Sequence, residues 1–186
     1  AVHGANYTAG SVLFPHQINL AATFDPAWAF KAGEVTAYEM KAGAITWNYC
    51  PNLDVARNPL WGRIYESFGE DPYVVTTMGA AMFKGMQGDN PSDWNKVIAS
   101  GKHFVGYGAP VNGKDRSPVL MPEQQIRQIL LPPFEEAVKN GLLSVIVSSS
   151  AINGLPTHID HRLLTDILKN EFGFKGVIIS DWGDID

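Results

Sequence analysis

Asp181 ends the run Gly176-Val-Ile-Ile-Ser-Asp-Trp182. The apolar, β-branched residues Val177–Ile179 read as a buried strand, so the carboxylate leaves it at the C-terminal end. In a parallel α/β sheet or barrel that end faces a cleft. An Asp beside a Trp suits sugar chemistry there. The carboxylate attacks or stabilises a cationic carbon, and the indole offers an apolar face to a ring. Asp184 and Asp186 follow closely, but the strand-end rule assigns them to the next loop or helix start.

Two further groups could hold hydroxyls. Arg63 lies in a stretch, residues 57–72, crowded with charges and aromatics. A fixed guanidinium gives forked hydrogen bonds to adjacent acceptors. Glu66, Glu70 and Asp71 in the same stretch read as structural partners. Lys102-His103 closes a second apolar run and enters a glycine-rich loop. Neighbouring strand residues point to opposite faces. For both to reach one ligand, a bulge or a non-proline cis peptide is expected near residues 102–104. His3, His16, His158 and His161 lack metal-ligand spacing, with His158 a candidate for lining the mouth. Ser148-Ser-Ser150 lacks the nucleophile-elbow pattern, and no Gly-Lys-Ser/Thr follows the glycine-rich turns.

Alternating elements must position these groups. Strands are expected at 18–23, 44–49, 96–105, 142–148 and 177–180. Helices are expected at 27–42, 73–85, 122–140 and 162–171, with Gly141 as a C-cap signal. This alternation argues for a parallel sheet covered by helices. Long loops follow strands, and in a barrel of that type such loops build the active site. Residues 52–69, 106–118, 149–158 and 181–186 should therefore cluster at one face. About five strands are present where a closed barrel needs eight. Open sheet edges of that kind favour aggregation.

Composition narrows the function classes. Of 186 residues, 45% are hydrophobic and 18% charged, as in globular proteins. A net charge of −5 gives no basic footprint for nucleic acid. No apolar run is long enough to cross a bilayer. Cys50 is the lone cysteine, which excludes an internal disulfide and a cysteine-based metal cluster. No cofactor or metal is called for. No charged-then-apolar leader follows Ala1, so localisation is not readable from the residues.

Several stretches together resemble glycoside hydrolase family 3, the β-glucosidase and exo-β-glucanase family. They are Ala1-Val-His-Gly4, Phe14-Pro-His-Gln-Ile-Asn-Leu-Ala-Ala-Thr-Phe-Asp25, Trp61-Gly-Arg-Ile-Tyr-Glu-Ser-Phe-Gly-Glu-Asp-Pro72, Lys102-His-Phe-Val-Gly-Tyr-Gly108, Ile152-Asn-Gly154 and Phe172-Gly-Phe-Lys-Gly-Val-Ile-Ile-Ser-Asp-Trp182. The resemblance implies a partial (β/α)8 TIM-barrel-type N-terminal domain over residues 1–186, with a second α/β sandwich domain outside it. It implies Asp181 as nucleophile, Arg63, Lys102 and His103 as sugar-holding residues, and Trp182 as a subsite wall. The implied ligand is a β-linked glucoside or oligosaccharide, and a periplasmic or secreted setting is compatible with the family. Two departures stand out: Asn58 occupies a place where the family often has Asp, and Leu60 one where it often has Arg. Both are expected to tune loop packing without abolishing binding. The role of the loop Gly113-Lys-Asp-Arg-Ser-Pro118 is left open.

A retaining glycosidase uses two carboxyl groups about 5–5.5 Å apart. Asp181 must be ionised to attack, with Lys102 and Arg63 as candidate neighbours. No residue of this chain is assignable as the acid/base, which the resemblance places in the following domain. The stretch by itself is therefore expected to be nearly inactive. A β-xylosidase is the alternative within the family. A β-N-acetylglucosaminidase would show a Lys-His-Phe-Pro-Gly-His type motif, whereas this chain has Lys102-His-Phe-Val-Gly-Tyr107. A non-catalytic carbohydrate-binding module would have no need of Asp181.

Overall fold

The computed structural model describes residues 3–185; Ala1, Val2 and Asp186 lie outside them. Among the described residues a parallel sheet holds four strands in the order β1 (Trp47–Asn48), β2 (Ile98–Phe104), β3 (Ser144–Val147) and β6 (Val177–Ile179). Register runs Trp47 to Ile98, Ser100 to Ser144 and Ser144 to Val177. A short antiparallel pair, β4 (Ala151–Ile152) and β5 (Leu155–Pro156), sits in the loop after β3. This is the incomplete α/β barrel the alternation implied, open at β1 and β6.

The run at 18–23 is not a strand. Its first part lies in helix α1 (Gln17–Ala21). Ile18 and Leu20 mimic strand alternation, but the buried set is Gln17, Leu20 and Ala21. That i, i+3, i+4 spacing is helical. Gln17 anchors the turn by accepting from the Asn52 backbone N–H at 3.0 Å.

Helices α2 (Pro26–Ala42) and α3 (Pro72–Gln87) start alike. Each has an Asp N-cap followed by Pro at the first helical position, where a missing N–H costs nothing. Asp71 accepts from Tyr73 and Val74 N–H at 2.8 and 3.0 Å. Asp71→Ala is expected to cost about 1 kcal/mol, read as a lower urea midpoint. The two helices approach backbone to backbone. A Cβ at Gly33 would sit 2.3 Å from the Met82 carbonyl oxygen, and one at Gly85 2.1 Å from that of Phe30.

Helix α4 (Glu123–Gln125) widens over Ile126–Leu130, where Leu131 N–H bonds the Ile126 carbonyl five residues back, before α5 (Pro132–Lys139). Pro132 and Pro133 lack the N–H groups that a regular ladder would use there. Arg162–Glu171 forms a second wide helical segment. Between helices and sheet lies one apolar core including Leu53, Phe68, Met82, Phe104, Phe134, Val145 and Leu168.

Candidate active site

The loops that follow strands meet at the C-terminal end of the sheet. Asn58 Nδ2 donates to the Pro110 carbonyl at 2.8 Å, and Trp61 Nε1 donates to Asp115 Oδ1 at 3.0 Å. Val119 N–H bonds the Ala151 carbonyl, and Arg116 reaches Asp184. The expected clustering of residues 52–69, 106–118, 149–158 and 181–185 is thus observed. Asn58 uses its amide N–H and also accepts from Leu60 N–H, while Leu60 itself points to solvent. An Asp could not make the first bond, so the departure at Asn58 ties two loops together.

Asp181 leaves β6 two residues after Ile179. Its carboxylate lines a cleft of about 360 Å³ shared with Tyr49, Ile146 and Trp182. Oδ1 accepts from Trp182 N–H at 2.7 Å, and Oδ2 lies 3.4 Å from His103 Nε2. The Trp182 side chain is 88% exposed, at the rim of the cleft.

Lys102 and His103 end β2 and are buried. Their mutual peptide bond is cis, as is Phe104–Val105, and the β2–β3 register shifts between Gly101 and Phe104. The irregularity required for both side chains to reach one place is present. His103 Nδ1 lies 2.7 Å from Asp54 Oδ2. A carboxylate only accepts, so this contact puts the ring proton on Nδ1. Nε2 then faces Asp181 and, at 3.4 Å, Arg63 Nη2.

Arg63 grips Glu66 with both arms, Nε to Oε1 at 2.7 Å and Nη2 to Oε2 at 2.8 Å. Lys102 Nζ stands 3.6 Å from the same Oε2. Burial pushes the Glu66 carboxyl up, but the Arg63 hydrogen bond and the Lys102 and Arg63 charges outweigh it and hold the group below its ordinary range. A depressed carboxyl stabilises the fold above its unfolded value and loses that contribution as pH falls through its folded value. Glu66→Gln is expected to cost roughly 2 kcal/mol near neutrality, less than a fully buried pair, because Arg63 is partly exposed. The difference in urea midpoint should shrink as pH falls through the lowered Glu66 carboxyl range, and a constant difference would contradict the ion-pair account.

Tyr107 backs the cluster. Its ring meets that of His103 edge-on with centroids 4.5 Å apart and lies 5.1 Å from the Arg63 guanidinium carbon. Burial pushes its hydroxyl up to about 12 even though Arg63 opposes this, and Asp115 adds to the rise. The hydroxyl therefore stays protonated and donates to Asp115 Oδ2 at 3.0 Å. A residue so occupied does not take the place of a second histidine.

Of the residues singled out in the sequence, Asp181, His103, Arg63 and Lys102 come together through shared contacts, with Trp182 at the rim. The group reaching Asp181 is His103; Arg63 and Lys102 join through His103 and Glu66. Asp184 is largely buried and bound to Arg116, which disfavours it as a nucleophile. Asp186 lies outside the described residues. Asp54 escaped the sequence reading. It is a lone carboxylate in the apolar run Leu53-Asp-Val-Ala56, the same kind of signal that marked Asp181. Among the described residues no group of three or more His, Cys, Asp or Glu side chains is placed to hold a metal ion.

Known proteins share this sequence and fold. The Dictyostelium discoideum lysosomal β-glucosidase is 42% identical over 192 residues, covering 100% of this chain and 23% of the relative. A β-xylosidase from Formosa agariphila is 42% identical over 193 residues, covering 100% and 27%. The crystal structure of an exo-1,3/1,4-β-glucanase from a Pseudoalteromonas species superposes with a TM-score of 0.94 at 39% identity, covering 99% of this chain and 23% of that one. The chain thus spans about a quarter of the length of the relatives it matches. The profile of the glycosyl hydrolase family 3 N terminal domain matches residues 1–186 throughout. Sequence and fold agree, and the chain belongs to glycoside hydrolase family 3.

Proposed function

We propose that the intact protein is a retaining β-glycosidase that releases terminal non-reducing β-D-glucosyl residues through a covalent glycosyl-enzyme on Asp181. The observation that carries this is the strand-end carboxylate of Asp181, lining the cleft and facing His103 at 3.4 Å. An Asp181 oxygen attacks the anomeric carbon as the bond to the leaving oxygen breaks, and an acid protonates that oxygen. Water then attacks the anomeric carbon, gives up its proton to the same acid's conjugate base, and displaces the Asp181 carboxylate. Arg63, Lys102 and His103 hold ring hydroxyls, which turns part of the entropic barrier into binding. Trp182 covers one face of the ring.

The other carboxylates of this cluster, Asp54, Glu66 and Asp184, each hold a cation or an imidazole. We assign the acid/base to a part of the protein outside residues 1–186, which would complete this partial barrel domain and add a second α/β domain. The longer relatives support that division. The test is covalent trapping. A 2-deoxy-2-fluoro-β-glucosyl donor incubated with the intact protein should label the peptide holding Asp181, read by mass spectrometry. A label on another residue would overturn the assignment.

The Formosa β-xylosidase supports a second reading, because a xylosyl ring differs from a glucosyl ring by one hydroxymethyl group. A pocket that only accommodates such a group discriminates weakly, by about 10- to 200-fold. The ratio of kcat/KM for aryl β-glucoside and aryl β-xyloside decides between them.

A further inference from the structure

The loop Gly113-Lys-Asp-Arg-Ser-Pro118 sits between the two halves of the site and touches both. Asp115 accepts on one oxygen from Trp61 Nε1 and on the other from the Tyr107 hydroxyl. Both aromatic rings are buried, and Tyr107 packs against Arg63 and His103. The next residue, Arg116, turns the other way, with its backbone in the left-handed region at φ 61°. Its Nη2 donates to the Trp182 carbonyl at 3.0 Å and its Nη1 to Asp184 Oδ1 at 2.8 Å. The Trp182 backbone is thereby held at both ends, since its N–H already donates to Asp181 Oδ1.

We propose that Asp115-Arg116 is a positioning clamp for the reaction, with Arg116 setting where the Asp181 carboxylate stands relative to the sugar that Arg63, Lys102 and His103 hold. The inference rests on Asp181 being the nucleophile. One loop fixes the attacking group through Arg116 and the hydroxyl-binding group through Asp115. Loosening Arg116 lets the Asp181-Trp182 segment drift while Arg63, Lys102 and His103 stay in place. Attack geometry is steep in distance, so misplacement by about 1 Å costs up to roughly 100-fold.

The test compares Arg116→Ala, Asp184→Ala and the double variant of the intact protein. Arg116→Gln keeps the aliphatic stem but cannot span both acceptors, and serves if the alanine variant fails to fold. The readouts are kcat and KM on an aryl β-glucoside, the inhibition constant of glucose, and the rate of trapping by the 2-fluoro donor. Expected are a trapping rate and kcat lower by roughly 10- to 100-fold, with the glucose inhibition constant changed by less than kcat, because Arg63, Lys102 and His103 still hold the ring and only the Trp182 wall moves with Asp181. The double variant should be no worse than the Arg116 single, because that change already removes the contact with Asp184. Trapping on Asp181 at the parent rate in the Arg116 variants would overturn the clamp while leaving the nucleophile intact. Multiplicative losses in the double variant would also overturn it. Labelling of a residue other than Asp181 removes the clamp together with the reading it stands on.

Discussion

Asp181→Ala in the intact protein is expected to lower kcat on an aryl β-glucoside by on the order of 10⁴-fold or more, as loss of a nucleophile does elsewhere. The fold should survive. Asp181 is partly exposed, its Oδ2 contact with His103 is long, and its Oδ1 partner is the adjacent backbone N–H. No buried charge loses its main partner, since His103 keeps Asp54 and Arg63 keeps Glu66. The melting temperature of the variant should therefore stay close to the parent's. Added azide should restore turnover and give the α-glucosyl azide. A small anion entering the space left by the carboxylate attacks from the face opposite the leaving group, so the product is inverted. Formation of the β-azide would identify Asp181 as the acid/base instead. Unchanged kcat would remove it from the chemistry.

The placement of Asp181 at a strand end lining the cleft was readable because three signals coincide in seven residues: a β-branched strand, a terminal carboxylate and an aromatic neighbour. Lys102 and His103 were readable for the same strand-end reason, together with the backbone irregularity that lets both reach one cluster. The helices α2 and α3 were readable as the helical stretches between strands, and each starts one residue before its expected bound. The sequence misled at Ile18–Leu20, where two apolar residues two apart fit a strand. The decisive partner there is Gln17, whose value depends on a backbone N–H 35 residues away. Tertiary contact overrode a short pattern.

The site was only half legible for a related reason. Residue type and strand position identify groups able to do chemistry, but not which group touches which. Arg63 and Lys102 were natural neighbours for a carboxylate by charge alone. In the fold both are drawn to Glu66, and an imidazole held by Asp54 faces Asp181. The loop at residues 113–118 gave no signal, because Asp115 and Arg116 act through aromatic N–H and O–H groups and a backbone carbonyl on distant segments.

The strongest consequence of that pairing concerns Asp54. Its side chain has no exposed surface, one oxygen lies 2.7 Å from His103 Nδ1, and the other has no hydrogen-bond partner among the described residues. With a proton fixed on Nδ1, the Nε2 edge faces Arg63 Nη2 and Asp181 Oδ2, each at 3.4 Å, and it is the edge left for a sugar hydroxyl. Asp54→Asn keeps the shape but can offer an amide N–H to Nδ1, which moves the ring proton to Nε2. That proton would meet the Arg63 donor and turn to the Asp181 carboxylate, so Nε2 would no longer accept from a sugar hydroxyl. The expected loss in kcat/KM is about 100-fold, or about 2.7 kcal/mol. It should be smaller than in a catalytic triad, where the imidazole itself moves the reacting proton and the same exchange costs about 10⁴-fold. ¹⁵N shifts of the His103 ring should report the changed tautomer, a readout that simple loosening of the core would not produce. Asp54→Ala should match the kinetic loss and also lower the melting temperature, because a buried charge-assisted hydrogen bond disappears without replacement. If Asp54→Asn retained kcat/KM within about twofold, well inside the loss expected of a wrong tautomer, the imidazole's orientation would not matter to the sugar, and His103 would be left as a packing residue beside Tyr107.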